Sequence, residues 1–264
     1  MKKAIALLTL SIIMLVSCSK EDSNGTGTGT KETSVEGFPV SNNKKGTGSS
    51  ANDLLSDAAF KSMVVELVYV EGFEPSASSV TNFVSFLNAR TYKPGGITVV
   101  KRAIASPGKA RYTNSDIVSI EDANRTKYNS ANQIAVWAFF VDGESASNTD
   151  TGVVLGTAYR NTSFVIYEKT IQGLSGGPFE PSTSLVETTV ITHEIGHILG
   201  LTNLGSPLQS DHEDADHQKH CEVESCLMYW AAESGKGVTN MVSGGSAPKL
   251  DAQCIADLRA NGGK

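Results

Sequence analysis

The sequence has no excess of positive charge: 28 Asp and Glu outweigh 22 Lys and Arg, for a formal net charge of −6. A nucleic-acid partner calls for a basic face, so none is expected. Long apolar runs are missing too. The one conspicuous stretch, residues 4–16, is too short to span a bilayer. Cysteine is scarce, with four residues, and no internal repeat is visible. What is present is ordinary for a folded chain. Its 264 residues, 39% hydrophobic and 19% charged, suffice for one sizeable domain or two small ones.

The N-terminus has the layout of a secretory signal, a basic Lys2-Lys3 followed by the apolar run. Leu15-Val16-Ser17-Cys18 resembles a bacterial lipobox, in which the signal is cut before the cysteine and the cysteine is lipidated. A plain secretory signal with a chance cysteine is the alternative. Lys20-Glu21-Asp22 resembles the acidic export signal of some Gram-negative surface lipoproteins. The expected organisation is a signal peptide at 1–17, then a lipidated Cys18 and flexible tether over 18–52, then a folded domain over 53–264. The tether reading rests on Gly, Ser, Thr, Asn and Lys, which bury too little apolar surface to offset ordering entropy. The expected location is extracytoplasmic, anchored in the outer membrane and surface-exposed. With Cys18 lipidated, Cys221, Cys226 and Cys254 remain, an odd number where disulfides are allowed.

Hydropathy patterning predicts an α/β sheet. Residues 61–72, 96–106 and 133–143 are rich in Val, Ile and Phe and read as strands. Residues 76–90 place Val80, Phe83, Val84 and Leu87 at helical spacing, and 113–125 follow as a second helix with Ser115 as its cap. Residues 152–160 and 162–170 read as further strands around a turn at Asn161. A long helix then starts with Ser184 and Glu187 as a capping box. A terminal helix falls within 246–263, with Pro248 in its first turn and Gly262 at its stop.

The long helix carries the chemistry. His193 and His197 lie four apart, so both imidazoles aim at one point. Glu194 is one step round and reaches a water held there. A catalytic Zn²⁺ takes three protein ligands and a water, which it acidifies, and Glu194 is the base that accepts the proton. Two solvated histidines on a surface helix are the plainer reading. Gly200 suits a left-handed stop that turns the chain back.

His193-Glu194-x-x-His197-x-x-Gly200 resembles the metzincin clan of zinc metalloproteases, whose third ligand follows three residues after the glycine. Asn203 stands there, a poor ligand. Further on, His220-Cys221-x4-Cys226-x-Met228 resembles the archaemetzincin signature. That resemblance makes residues 203–219 an insertion, His220 the third zinc ligand and Met228 the residue of the Met-turn. His212, inside the insertion, is the alternative ligand, and His217 a third histidine to weigh. Asp211, Glu213, Asp214 and Asp216 read as a solvated acidic loop, with Ca²⁺ as the alternative use. The family's second, four-cysteine zinc site lacks a residue here. Either Asp257 joins Cys221, Cys226 and Cys254 around a metal, or a Cys221–Cys226 disulfide forms.

The resemblance implies a metzincin-like zincin: a twisted mixed sheet with the active-site helix above a smaller C-terminal part holding the Met-turn and terminal helix. The implied activity is a zinc endopeptidase of protein or peptide substrates, bound as an added strand along the edge near residues 163–170. Tyr229 and Trp230 would wall a specificity pocket or pack in the core. The chain is expected to be a monomer, and its whole layout is similar to metalloprotease lipoproteins of Gram-negative bacteria. The competing reading is an inactive surface binding lipoprotein on the same fold, favoured by Asn203 alone.

Overall fold

A computed structural model describes residues 33–264. The lipobox and Cys18 lie outside the described residues. The chain begins with β1 (Ser34–Val35) and β2 (Phe38–Pro39), a 3-10 turn at Val40–Asn43, and α1 (Ala51–Leu55). Residues 33–52, expected as tether, are therefore built into the fold, and residues 33–264 belong to one compact unit. The reason is polar burial. Asn43 is 0% exposed, and its amide donates to Asn129 Oδ1 at 2.8 Å and to the Ala135 carbonyl at 3.1 Å. Composition reads a polar segment as solvated, whereas a fully hydrogen-bonded one can be buried.

Next come β3 (Ser62–Val70), α2 (Ala77–Arg90), β4 (Ile97–Ile104), β5 (Arg111–Tyr112), α3 (Asn114–Asn124) and β6 (Gln133–Phe140). After β7 (Glu144–Ser145), β8 (Gly156–Arg160) and β9 (Ser163–Ile166) turn at Asn161. The main sheet runs β4-β3-β6-β9-β8, parallel throughout except for β8. Strands β3 and β6 are buried on both faces, which is why they read as mostly apolar runs, with Glu66 of β3 paired to Arg102. Alternate side chains divide between the faces. Ile134, Val136 and Phe140 of β6 join α2 and the later helices, while Trp137 and Phe139 join Ile117 of α3.

The remaining helices are α4 (Glu168–Gln172), α5 (Thr183–Ile198), α6 (Gly235–Met241) and α7 (Ala252–Ala260). No described helix is long and apolar enough to cross a membrane. Three caps differ from expectation. Helix α3 is capped by Thr113, whose hydroxyl accepts from Asp116 N while the Asp116 carboxylate accepts from Thr113 N. The Ser184–Glu187 box does not form. Glu187 instead accepts from the backbone N–H and hydroxyl of Ser76, tying α5 to the start of α2. Helix α7 starts after Asp251, whose carboxylate accepts from Cys254 N at 2.8 Å, so Pro248 lies ahead of it. Beyond α5, Leu227, Met228, Cys254 and Leu258 join the same core as α2 and α5, forming the smaller part beneath the helix.

Candidate metal centre

Helix α5 is buried from Val186 through Ile198, so its polar side chains are held by neighbours and not by water. Its end is a Schellman turn: Gly200 N donates to His197 O at 3.0 Å and Leu201 N to Gly196 O at 3.0 Å. Gly200 adopts φ +93°, and a Cβ there would stand 2.4 Å from Ser206 N. Gly196 has a different task. A Cβ on it would lie 2.4 Å from Met228 Sδ, so the missing side chain lets the Met228 turn press against the helix under the two histidines.

His193, His197 and His220 come together, with ring centroids 4.7 to 5.4 Å apart. Each Nδ1 faces a carbonyl: Leu227 O at 2.8 Å, Leu201 O at 3.0 Å and Gln218 O at 3.1 Å respectively. A carbonyl only accepts, so each Nδ1 carries the proton and each Nε2 is left with its lone pair. Nε2 of His193 and of His197 face one another at 3.1 Å, and His220 Nε2 is buried without a hydrogen-bond partner. Two lone pairs at that distance repel unless a cation lies between them, so the donor set fits a metal ion. Burial, above all, lowers the pKa of His193 to about 4 and of His197 to about 3, which keeps both rings neutral and able to ligate.

Glu233 joins this group. One ligand atom from each of His193, His197, His220 and Glu233 lies within 4.8 Å of every other. Its carboxylate oxygens face His193 Nε2 at 3.8 Å and His220 Nε2 at 3.5 Å. Glu194 stands beside the cluster, and both its oxygens are buried without a hydrogen-bond partner. Burial, reinforced by the Glu233 carboxylate, raises its pKa well above the usual carboxylate range. A Cβ on Gly156 would come 2.6 Å from Glu194 Oε1, so this glycine is what admits the carboxylate under β8.

A cavity of about 200 Å³ opens onto Glu194, His197, His220 and Glu233, closed at its sides by Thr47, Leu204 and Lys219. Strand β8 borders it. The edge expected near residues 163–170 is not an edge, because β9 pairs with β6 on one side and β8 on the other. The edge strand on this side of the sheet is β8, where the Thr47 hydroxyl donates to Ala158 O at 3.3 Å. Tyr229 and Trp230 are half-buried and line a separate cavity of about 550 Å³ next to α6. His217, from the insertion, stacks on Trp230 with ring centroids 4.4 Å apart.

The other histidines are occupied elsewhere. His212 Nε2 meets Asp257 Oδ2 at 2.8 Å, both residues fully buried, and its Nδ1 lies 3.5 Å from Cys221 Sγ. His217 pairs with Asp214 on the exposed loop. Asn203 donates to Glu213 Oε2 at 2.9 Å, away from the cluster. The cysteines form a second group, Cys221, Cys226, Cys254 and Asp251, again with ligand atoms within 4.8 Å of one another. The expected partner Asp257 is displaced by Asp251, and the expected Cys221–Cys226 disulfide is absent, since all three thiols are free. Cys226 Sγ lies 3.6 Å from Cys254 Sγ, the spacing of two ligands and not of a bonded pair. Hydrogen bonding from its two cysteine neighbours lowers the Cys226 pKa to about 3. Asp251-x-x-Cys254 repeats the spacing of a Cys-x-x-Cys ligand pair, a signal that could have identified Asp251. Glu233 has no comparable signal, because nothing in its spacing from Met228 marks it as facing the histidines.

The architecture matches an archaemetzincin from Methanopyrus kandleri, a crystal structure 18% identical, with a TM-score of 0.52 over 76% of this chain and 96% of that chain. The fold is archaemetzincin-like. A zinc-dependent peptidase from Methanocorpusculum labreanum is 12% identical, with a TM-score of 0.46 over 74% of this chain and 99% of that one. Metalloproteinase-II from Bacteroides fragilis is 14% identical, with a TM-score of 0.42 over 78% and 54%. No protein-family model and no curated protein matches the chain. Within this archaemetzincin-like frame, the histidine cluster lies at the end of the long helix and the cysteine group beneath it, against α7.

Proposed function

We propose that this chain is a zinc-dependent endopeptidase, anchored at the cell surface through lipid on Cys18. The observation that carries the reading is the meeting of three histidine Nε2 atoms, each ring tautomer held by a carbonyl, beside an unpartnered Glu194 in one cavity. The fold is shared with an archaemetzincin.

His193, His197 and His220 hold the ion. Bound zinc supplies Lewis acidity, acidifying a water and polarising the scissile carbonyl. Glu194 takes the proton from the attacking water and passes it to the leaving amine. Its burial raises its proton affinity toward the range useful to a general base. The substrate adds an antiparallel strand to the open edge of β8, which brings its scissile bond over Glu194 beneath Gly156. Asn203, which favoured an inactive binding protein, donates to Glu213, and His220 stands with the two helical histidines in its place.

Glu194→Gln tests the reading. Zinc content is expected to stay at the wild-type level while casein hydrolysis is lost. Retention of more than a small fraction of the activity would remove Glu194 from its role. For the anchor, Cys18→Ala is expected to yield a soluble or unprocessed chain, and unchanged membrane association would refute lipidation.

A further inference from the structure

We propose that Glu233 is a fourth protein ligand of the histidine centre, so that the folded chain holds its metal in a closed, latent coordination. This rests on reading His193, His197 and His220 as the zinc site and says what fills the remaining position. Glu233 Oε2 lies 3.8 Å from His193 Nε2, and Oε1 lies 3.5 Å from His220 Nε2. The two oxygens thus face different imidazoles, and with His193 and His197 at 3.1 Å and one ligand atom of each of the four residues within 4.8 Å of every other, the donors are gathered closely enough to surround one ion. A catalytic zinc site leaves this fourth position for water or substrate. Here a carboxylate stands in it. Glu194 does not compete for the place, since it is held under β8 outside the four-residue group.

The chain around Glu233 allows the side chain to leave alone. Its backbone carbonyl accepts from Leu155 N at 3.0 Å, and Ser234 bridges Val154. These contacts pin the backbone ahead of β8 whatever the side chain does. The side chain itself is 32% exposed and lines the cavity. An extended peptide pairing with β8 would enter that cavity and compete with the carboxylate for the metal. Activation is thus the exchange of Glu233 for water and substrate, and the fraction of molecules with Glu233 released scales the apparent affinity for any ligand of the ion.

The test uses the full chain loaded with cobalt, with acetohydroxamate as a small metal-directed probe. Glu233→Gln is near-isosteric and leaves the backbone contacts in place, and Glu233→Ala serves as a second variant. Both variants are expected to change the visible cobalt spectrum. Both should weaken zinc binding by about 10-fold or more, as loss of a contact at a metal site does. Both should also bind acetohydroxamate about 10-fold or more tightly than wild type, because the competitor is gone. Peptide hydrolysis by Glu233→Gln is expected to rise. Identical cobalt spectra and acetohydroxamate affinities in wild type and Glu233→Gln would overturn the proposal while leaving the zinc-site reading standing. Equal cobalt binding by wild type and His197→Ala would overturn both.

Discussion

The backbone N–H of Thr202 donates to the carbonyl of Lys219 at 3.2 Å, so the loop between them begins and ends at one place. His220 therefore emerges where a chain without the loop would already have arrived, and the ring reaches His193 and His197. The loop is closed internally as well. Glu213 accepts from Asn203 with one oxygen and from Lys219 N with the other, and bridges Cys221 through its backbone. An insertion whose ends touch costs little in geometry, since each doubling of loop length adds only about 0.6 kcal/mol of closure entropy.

That closure separates two histidines by role. His220→Ala is expected to lower zinc occupancy at the histidine centre sharply, because it removes one of the three imidazole ligands. His212→Ala should keep that zinc and lose stability instead, leaving Asp257 buried without its partner at a cost of about 3–5 kcal/mol. Metal analysis beside urea denaturation distinguishes them. Loss of the histidine-centre zinc in His212→Ala with retention in His220→Ala would reverse the assignment.

Gly196→Ala sets two effects against each other. Alanine is the better helix former by about 1 kcal/mol, yet its methyl would stand 2.4 Å from Met228 Sδ. Overpacking wins: the variant should be less stable by about 1–3 kcal/mol. Adding Met228→Ala should recover part of the loss caused by the glycine change. A stability gain from Gly196→Ala alone would contradict the contact.

The cysteine group should hold a second zinc in reduced protein. Asp251→Ala and Cys254→Ser are each expected to lower zinc content and the melting temperature while sparing the histidine centre. Asp251→Cys, which completes a four-sulfur set, should tighten binding. Unchanged metal content in Cys254→Ser would show the cluster to be packing only.

Glu168 offers a pH test away from both centres. It is 0% exposed, one oxygen has no partner, and burial with the nearby Glu187 raises its pKa to about 9. The folded state thus keeps a proton that the unfolded chain releases above its model value of 4.5, and stability falls as pH rises from there toward 9. Glu168→Gln should therefore stabilise the protein by about 2–4 kcal/mol at pH 7.5 and hardly at all at pH 4.5. Urea titrations at the two pH values measure it, and an equal effect at both would rule out a protonated Glu168.

Local rules reached far into this molecule. The strands β3 and β6 were legible from their density of Val and other large apolar residues, because a parallel strand buried on both faces has no alternating polar side to show. His193, Glu194 and His197 were legible because a helix fixes which residues share a face, whatever surrounds it. Gly200 was legible through the left-handed turn that follows such a helix. The rest depended on contacts between distant segments. Glu187 had two possible uses, a cap for its own helix or a clasp on Ser76, and only the packing of α2 against α5 chose. Asn43 belongs to a polar stretch that became core because Asn129, Ala135 and Thr162 satisfied it. Asp251, and not Asp257, stands by the cysteines because it caps α7 by accepting from Cys254 N, while Asp257 faces His212. Glu233 carries no local mark at all. Its carboxylate reaches the histidines because Leu155 and Val154, far away in the chain, anchor the backbone around it, and contacts of that separation are set by tertiary packing and by no pattern along the sequence.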